Sequence, residues 1–262
     1  MPTQNNLDAD LTLKRRAKII ETIERDGQVN VNHLSSIYAV SEVTIRNDLS
    51  QLEKKGLLIR VRGGAIRTQG VSIDFALHVK AQKNLEEKRA IGKKAAELIQ
   101  ECDTIILDSG TTTMEIAINL ARFNELTVIT NALNIARQLA NNPGFKIIVP
   151  GGILRPNALS MVGPTAETSI KNYYCDKLFM GVDGIDAQYG ISTPNVEEAH
   201  LNRIMIEISK EVYVVTDSSK FNRRSLAFIA PMDQIYSVIT DKKIPAKEQE
   251  KLNNMGIKMY IV

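Results

Sequence analysis

The segment Ser41-Glu42-Val43-Thr44-Ile45-Arg46-Asn47-Asp48-Leu49 combines side chains that can read DNA. At about 100° per residue, Ile45, Leu49 and Leu52 fall on one side of a helix, a stripe that faces a core. The opposite side carries Val43, Asn47, Ser50 and Lys54, with Thr44 and Arg46 on its flanks. A methyl, an amide, hydroxyls and cations are the groups that touch base edges and hold phosphates in a major groove. Ser41 is suited to cap such a helix, its hydroxyl accepting from a free N–H of the first turn. An ordinary amphipathic surface helix has the same patterning, so the neighbouring elements decide.

A second group of residues suits an anion. Asp108-Ser109-Gly110-Thr111-Thr112-Thr113 follows an apolar run and opens a helical one. Free N–H groups at a helix start, with hydroxyls around them, make a phosphate cradle. Hydroxyls also cap helices for purely structural reasons, so one such turn says little. Similar turns follow other apolar runs: Thr130-Asn131, Gly151-Gly152 with Arg155 nearby, Gly181 to Asp186 with Asp183 in its middle, and Thr216 to Lys220. A rim of such turns forms a pocket for a small, hydroxylated anion.

The elements that must position the first group read as a winged helix. Leu13 to Arg25 carries Ile19, Ile20 and Ile23 among charges, and Gly27 ends it. Val29 and Val31 alternate as a short strand, and Asn32 can cap a helix from His33 to Ala39 that buries Leu34 and Ile37. Val40-Ser41 makes the tight turn of a helix-turn-helix. Leu57 to Val61, the turn Arg62-Gly63-Gly64 and the return through Ala65-Ile66-Arg67 read as a basic hairpin. Arg60, Arg62 and Arg67 would lie along the phosphate backbone of double-stranded DNA. From Lys14 to Arg67 there are 11 Lys and Arg against 6 Asp and Glu, a surplus of five in a chain whose net charge is +3. The charge points to a polyanionic partner for this small domain alone.

The second group rests on a different pattern. Thr104 to Leu107, Thr127 to Thr130, Lys146 to Val149, Lys177 to Met180, Val212 to Thr216, Ser237 to Thr240 and Lys258 to Val262 read as strands. Helical stretches at 113–121, 133–141, 165–173 and 196–209 lie between several of them. Continuous apolar strands alternating with helices predict a mostly parallel, doubly wound α/β sheet covered on both faces. Ligands in such sheets bind outside the carboxyl ends of strands, where the polar turns lie.

The expected organisation is therefore a flexible tail over residues 1–10, a winged helix-turn-helix domain over 11–67, a linker and extended strap over 68–82, and a larger α/β domain over 83–262. In the strap, Phe75, Leu77 and Val79 alternate; Lys83 to Gln100 reads as a long helix. The 262 residues, 44% hydrophobic and 24% charged, are ordinary for a soluble globular protein. No stretch reaches the run of about 20 apolar residues that a membrane helix needs, and Met1 to Asp10 is unlike a signal peptide. Cys102 and Cys175 form neither a disulfide framework nor a zinc pattern, and each is expected as a small core residue. His33, His78 and His200 are scattered. No metal or cofactor is expected, and a reducing cytoplasm fits.

Residues 1–67 resemble the DNA-binding domain of DeoR-family repressors. The matching residues are the Arg15 to Ile23 helix, Ser41, Thr44-Ile45-Arg46, Asp48-Leu49, Leu52-Glu53 and Arg62-Gly63-Gly64-Ala65. Many family members carry a second basic residue where this chain has Asn47, which implies a different operator. From about Glu87 onward the chain is similar to the sensor domain of the same family, related in fold to ribose-5-phosphate isomerase, glucosamine-6-phosphate deaminase and CoA-transferases. The resemblance implies that Ser109 to Thr113 hold a phosphate and that Asn131, Asp183, Glu197 and Lys220 surround a sugar. Thr44 to Leu49, Asn172-Tyr173 with Asp176, Glu198-Ala199 with Leu201-Asn202-Arg203, and Thr216 to Asn222 are similar to repressors of N-acetylgalactosamine utilisation. That implies a galactosamine-derived sugar phosphate as effector, releasing a homo-oligomeric repressor from operator DNA.

The competing class is a sugar-phosphate enzyme. Asp183 and Asp186 resemble part of the isomerase acidic motif, but Ala187 to Ser192 lacks the lysine and further acid expected beyond it. The deaminases use a histidine-centred site, and His200 lies among helical residues. Glu197 and Glu198, the nearest candidates for a CoA-transferase nucleophile, stand at a helix start, where acids are favoured anyway. The sequence thus predicts a pocket that binds without catalysing. A DNA-binding protein with no ligand is the third reading, and the row of polar strand ends argues against it.

Overall fold

The computed structural model describes residues 4–54, 57–66 and 77–262. The chain divides into two compact units, Met1–Ile73 and Asp74–Val262.

In the first unit α1 (Gln4–Asp26) is followed by β1 (Gln28–Asn30), α2 (Val31–Tyr38), α3 (Glu42–Lys54) and a ribbon of β2 (Ile59–Val61) and β3 (Gly64–Ile66). The antiparallel order β1-β3-β2 makes this a winged helix. Ile19, Ile20 and Ile23 of α1, Leu34 of α2 and Ile45, Leu49 and Leu52 of α3 are buried together with Leu58 and Ala65. Three expectations change. Residues 4–10, read as a tail, belong to α1. The cap of α2 is Asn30, whose side chain accepts from the Asn32 N–H, because the helix starts at Val31 and buries Val31 in its first turn. Ile37 is exposed, since α2 turns only Val31 and Leu34 inward before Ala39 ends it in the left-handed conformation.

The second unit opens with α4 (Leu77–Gln82) and α5 (Leu85–Glu97). The expected extended strap is thus a helix over its described part, and Phe75 lies outside the described residues. β4 (Thr104–Leu107), α6 (Thr111–Ile118), β5 (Leu126–Ile129), α7 (Leu133–Leu139) and β6 (Phe145–Ile148) then alternate. A hairpin of β7 (Ile153–Arg155) and β8 (Ser160–Val162) leads to α8 (Pro164–Ile170) and β9 (Cys175–Met180). β10 (Gly184–Asp186), β11 (Gly190–Thr193), α9 (Val196–Glu207), β12 (Ser209–Val215), β13 (Ala227–Ala230), β14 (Ser237–Thr240), α10 (Ala246–Asn254) and β15 (Lys258–Ile261) complete it.

The main sheet has seven strands in the order β15-β14-β12-β9-β4-β5-β6, every pair parallel. Alternate residues of each strand feed two cores. Ile106, Leu178, Met180 and Val214 pack with α8 and α9. Ile105, Leu107, Phe179 and Val215 pack with α5 and α6 on the other face. Both faces are covered, as a parallel sheet requires. From β4 the chain winds one way to β5 and β6, and from β9 the other way to β12, β14 and β15. The gap between the carboxyl ends of β4 and β9 is therefore the topological switch point, where ligands bind in open α/β sheets. Cys175 is buried, but Cys102 is exposed on the turn before β4 and is no core residue.

Candidate functional site

In the first unit, Ser41 caps α3 as the sequence predicts, accepting from the Thr44 N–H at 3.1 Å, and its hydroxyl also meets that of Thr44 at 2.9 Å. Val43, Arg46, Asn47 and Lys54 are exposed, and Thr44 and Ser50 are partly so. Arg46 is ion-paired with Glu42 one turn earlier on α3. An exposed pair at this spacing contributes only about 0.3–0.5 kcal/mol, so a phosphate or guanine edge competes with it readily. Arg60 and Arg62 are exposed on the wing, and the Arg60 N–H donates to Glu53 at 3.0 Å, tying β2 to α3. Arg67 lies outside the described residues.

One charged residue here escaped sequence reasoning. Asp48 is buried, with its two oxygens 2.5 Å from Arg15 Nε and 2.6 Å from Arg16 Nε. The carboxylate fixes α1 against α3 and sets the angle at which α3 presents its outer face. The available signal was its spacing: Asp48 stands three residues after Ile45 and four before Leu52, on the buried stripe, where an acid needs a cation.

In the second unit, the carboxyl ends of β4 and β9 bring the expected residues together. Asp108 and Ser109 leave β4, both buried, and Thr112 and Thr113 enter the first turn of α6, also buried. No side chain caps α6, so the first-turn amides retain donor capacity. Asp183 follows β9 and is bracketed by two ammonium groups, Lys220 Nζ at 3.1 Å and Lys80 Nζ at 3.0 Å. Burial alone would raise the Asp183 carboxyl, but Lys80 and then Lys220 outweigh it and hold the group far below the usual carboxylate range. Lys220 rides a short helical turn that Asp217 caps through the Ser219 N–H at 3.0 Å.

Behind this rim lies a buried polar knot. Glu198, on the first turn of α9, accepts from Ser109 Oγ at 3.0 Å and Thr193 Oγ1 at 2.8 Å, with Arg155 Nη1 3.0 Å away. Asp108 is wholly enclosed, and its pKa is driven up by burial first and by the neighbouring Glu198 second, so the neutral acid is favoured. Arg155 and Asp183 also act on it, which ties the knot to the Asp183 rim. Among the described residues, nothing hydrogen-bonds Asp108 Oδ1, Thr113 Oγ1, Asn131 Oδ1 or Ser160 Oγ, although all four atoms are buried. Such atoms are costly to leave unmatched.

Not every expected site residue joins this group. Glu197 points to solvent on α9, and the enclosed carboxylate is Glu198. Gly110 and Thr111 sit partly exposed at the start of α6. Gly151 and Gly152 are exposed on the loop after β6. Gly152 has φ +133°, and a Cβ there would stand 2.5 Å from the Val162 carbonyl oxygen, so its smallness serves the approach to β8. Asn131 is buried after β5, with Nδ2 donating to the Met161 carbonyl at 3.3 Å. Lys88 was not foreseen. It is buried on α5, donates to the Lys80 and Lys83 carbonyls, and is pushed down to about 8 by burial. No group of three metal-ligating side chains occurs among the described residues, nor any helix long and apolar enough to cross a membrane.

A winged helix with an exposed basic recognition face, carried on the same chain as a doubly wound domain with a cationic and hydroxylated switch point, defines a transcription regulator. Residues 15–70 match the DeoR-like helix-turn-helix domain and residues 83–242 the DeoR C-terminal sensor domain. The chain belongs to the DeoR family of transcription regulators. It is 44% identical over 253 residues to a protein from Escherichia coli O157:H7 named as an aga operon transcriptional repressor, covering 96% of this chain and 94% of that one. It is 34% identical to the regulator GlpR of Haloferax volcanii, over 94% of this chain and 96% of that one. Among solved structures, ribose 5-phosphate isomerase A from Methanocaldococcus jannaschii aligns at 15% identity with a TM-score of 0.40, over 53% of this chain and 55% of the isomerase.

Proposed function

We propose that this protein represses a sugar-catabolic operon, one for amino sugars, and is released from its operator by a phosphorylated sugar. Supporting the reading above all is the pairing, at one topological switch point, of the uncapped start of α6 with Asp183 and Lys220. Amides, hydroxyls and an ammonium suit a phosphate, while carboxylates suit sugar hydroxyls. The aga operon named for the Escherichia coli relative favours a galactosamine-derived effector. In this reading Ser109 to Thr113 and Lys220 hold the phosphate, with Asp183 and Asn131 on the sugar. Arg46, Asn47, Val43 and Thr44 read the major groove, while Ser50, Lys54 and the wing arginines hold phosphates. The chain acts as a homo-oligomer, so that paired α3 helices meet repeated half-sites.

Binding without catalysis fits the same residues. Glu198, the one enclosed glutamate of α9 near the pocket, has its oxygens engaged by Ser109, Thr193 and Arg155, which leaves it poorly placed to act as a nucleophile. The test is fluorescence anisotropy on a duplex that the purified chain selects from a random pool, titrated with galactosamine 6-phosphate, N-acetylgalactosamine 6-phosphate, ribose 5-phosphate and inorganic phosphate. One sugar phosphate is expected to weaken duplex binding by about tenfold or more, a typical coupling between sites. Arg46→Ala is expected to weaken the duplex complex and leave the sugar affinity unchanged, and Lys220→Ala the reverse. A duplex complex indifferent to every sugar phosphate, or turnover of one at ordinary enzyme rates, would contradict the proposal.

A further inference from the structure

α4 is held in place by polar contacts. It has six residues, none buried, and a helix of that length has no stability of its own. Its first amide, that of Leu77, donates to the Asn157 carbonyl at 2.7 Å, in the hairpin that also carries Arg155. Its middle is fixed by Lys80 on Asp183 Oδ2 at 3.0 Å. Its end is fixed by Lys88, whose ammonium takes the Lys80 carbonyl and, at 2.6 Å, the Lys83 carbonyl. Just beyond, Asn84 Nδ2 donates to Asp217 Oδ1 at 2.7 Å, on the turn that carries Lys220. Two of these fastenings therefore end on residues of the Asp183–Lys220 rim, and α4 is the first described element after the division between the units at Ile73 and Asp74.

We propose that Lys80 is a ligand-responsive residue of the sensor site: it leaves Asp183 when a phosphorylated sugar engages that carboxylate, and α4 shifts with it. The inference rests on the sugar-phosphate reading of the site. Exchange of partners is chemically matched. Asp183 Oδ1 and Oδ2 each accept from one lysine, and two sugar hydroxyls supply the same two donors. The ligand's phosphate meanwhile offers acceptor oxygens to the displaced ammonium groups. Neither the carboxylate nor the cations are left unmet, so the exchange has no large desolvation cost. The helix that loses its central fastening has no fully buried side chain to keep it in register. Ligand preference for the loosened arrangement is then a coupling free energy between the pocket and the chain leading to the DNA-reading unit.

The experiment uses the full chain, the duplex it selects from a random pool, and galactosamine 6-phosphate as probe. Without probe, Lys80→Met is expected to weaken duplex binding by about tenfold, mimicking the liganded state, and adding probe should change it by less than about twofold. Lys80→Arg keeps the charge and should restore duplex binding to within about threefold of the unaltered chain, which separates a positional role from misfolding. Amide hydrogen exchange over residues 77–82 should speed up in Lys80→Met, and in the unaltered chain on adding probe. Lys80→Met that binds the duplex normally and keeps its full probe response overturns the inference, as does unchanged exchange over 77–82. If the unaltered chain ignores the probe while Lys80→Met still loses its duplex and α4 protection, the sugar-phosphate reading fails and the hold of Lys80 on α4 stands.

Discussion

Asp108 and Asp183 stand at adjacent strand ends yet are tuned oppositely. Asp183 has two ammonium groups within 3.1 Å and stays ionised, whereas Asp108 has burial and Glu198 against it and favours the neutral acid. A carboxyl raised in the native state binds more protons there than in the unfolded chain, so its contribution makes stability fall as pH rises above about 4. Asp108→Asn removes that term. Urea melts of the variant at pH 4.5 and 7.5 should show stability shifted in favour of pH 7.5 relative to the unaltered chain, and an unchanged pH dependence would count against a neutral Asp108. Asp48 is the structural counterpart in the winged helix. Asp48→Ala leaves Arg15 and Arg16 facing each other without their carboxylate and should cost about 3 kcal/mol, read from the first unit's melting. Asp108, Ser109, Arg155, Asp183 and Lys220 were legible in the sequence because strand ends concentrate polar residues. Lys80, Lys88 and Thr193 were not, because only tertiary folding brings α4, α5 and β11 to that rim. Glu198 was only half legible: its spacing to Leu201, Asn202 and Met205 follows the buried side of α9, but that of Glu197 to Leu201 and Ile204 does so too, and only the packing of α9 shows which of the two is enclosed.

Among elements, the strands of the main sheet were the most legible. Thr104–Leu107 and Ser237–Thr240 are as predicted, and the others are displaced by up to three residues. Strands covered on both faces are continuous apolar runs, and helices separate them. The antiparallel pieces β7, β8, β10, β11 and β13 span only three or four residues each, too few to show an alternating period. α10 hid for another reason: it buries only Glu248 and Leu252 in a run of charges. α4 was misread because the spacing of Leu77 and Val79 fits a strand within a window too short to reveal a helical period. Packing between α5 and α6 supplies a test at this scale. A Cβ on Gly92 would lie 2.6 Å from the backbone carbonyl carbon of Glu115, so α5 and α6 touch through a glycine. Alanine is the better helix former by about 1 kcal/mol, but forcing two backbones apart costs about 1–3 kcal/mol. The overlap is with backbone and cannot relax by a rotamer change, so Gly92→Ala should lower stability in chemical melts. Because Thr111 to Thr113 begin α6, it should also weaken sugar-phosphate binding. A stabilised variant would mean that the helices separate freely.

For the whole molecule, charge is divided by task. The surplus of five cations between Lys14 and Arg67 exceeds the net charge of the entire chain, +3, so the remainder is slightly acidic. Duplex binding should therefore be governed by counterion release, and effector binding hardly at all. With Lys54, Arg60 and Arg62 exposed, a dimer on paired half-sites would make about six phosphate contacts, giving a slope of roughly −5 for the logarithm of affinity against that of salt concentration. Arg62→Ala removes one contact per copy and should make that slope shallower by about 2, while the sugar affinity stays level. Asn47→Ala should act differently. An amide on the outer face of α3 carries no charge, so its loss should leave the salt slope unchanged while relaxing the preference for the selected duplex over a scrambled one. The two variants thus separate a phosphate-holding wing from a base-reading helix. A slope near −2 for the unaltered chain would mean that the wing arginines do not reach the backbone, or that a single copy binds. An Asn47→Ala variant with lower slope and intact sequence preference would reverse the roles assigned to helix and wing.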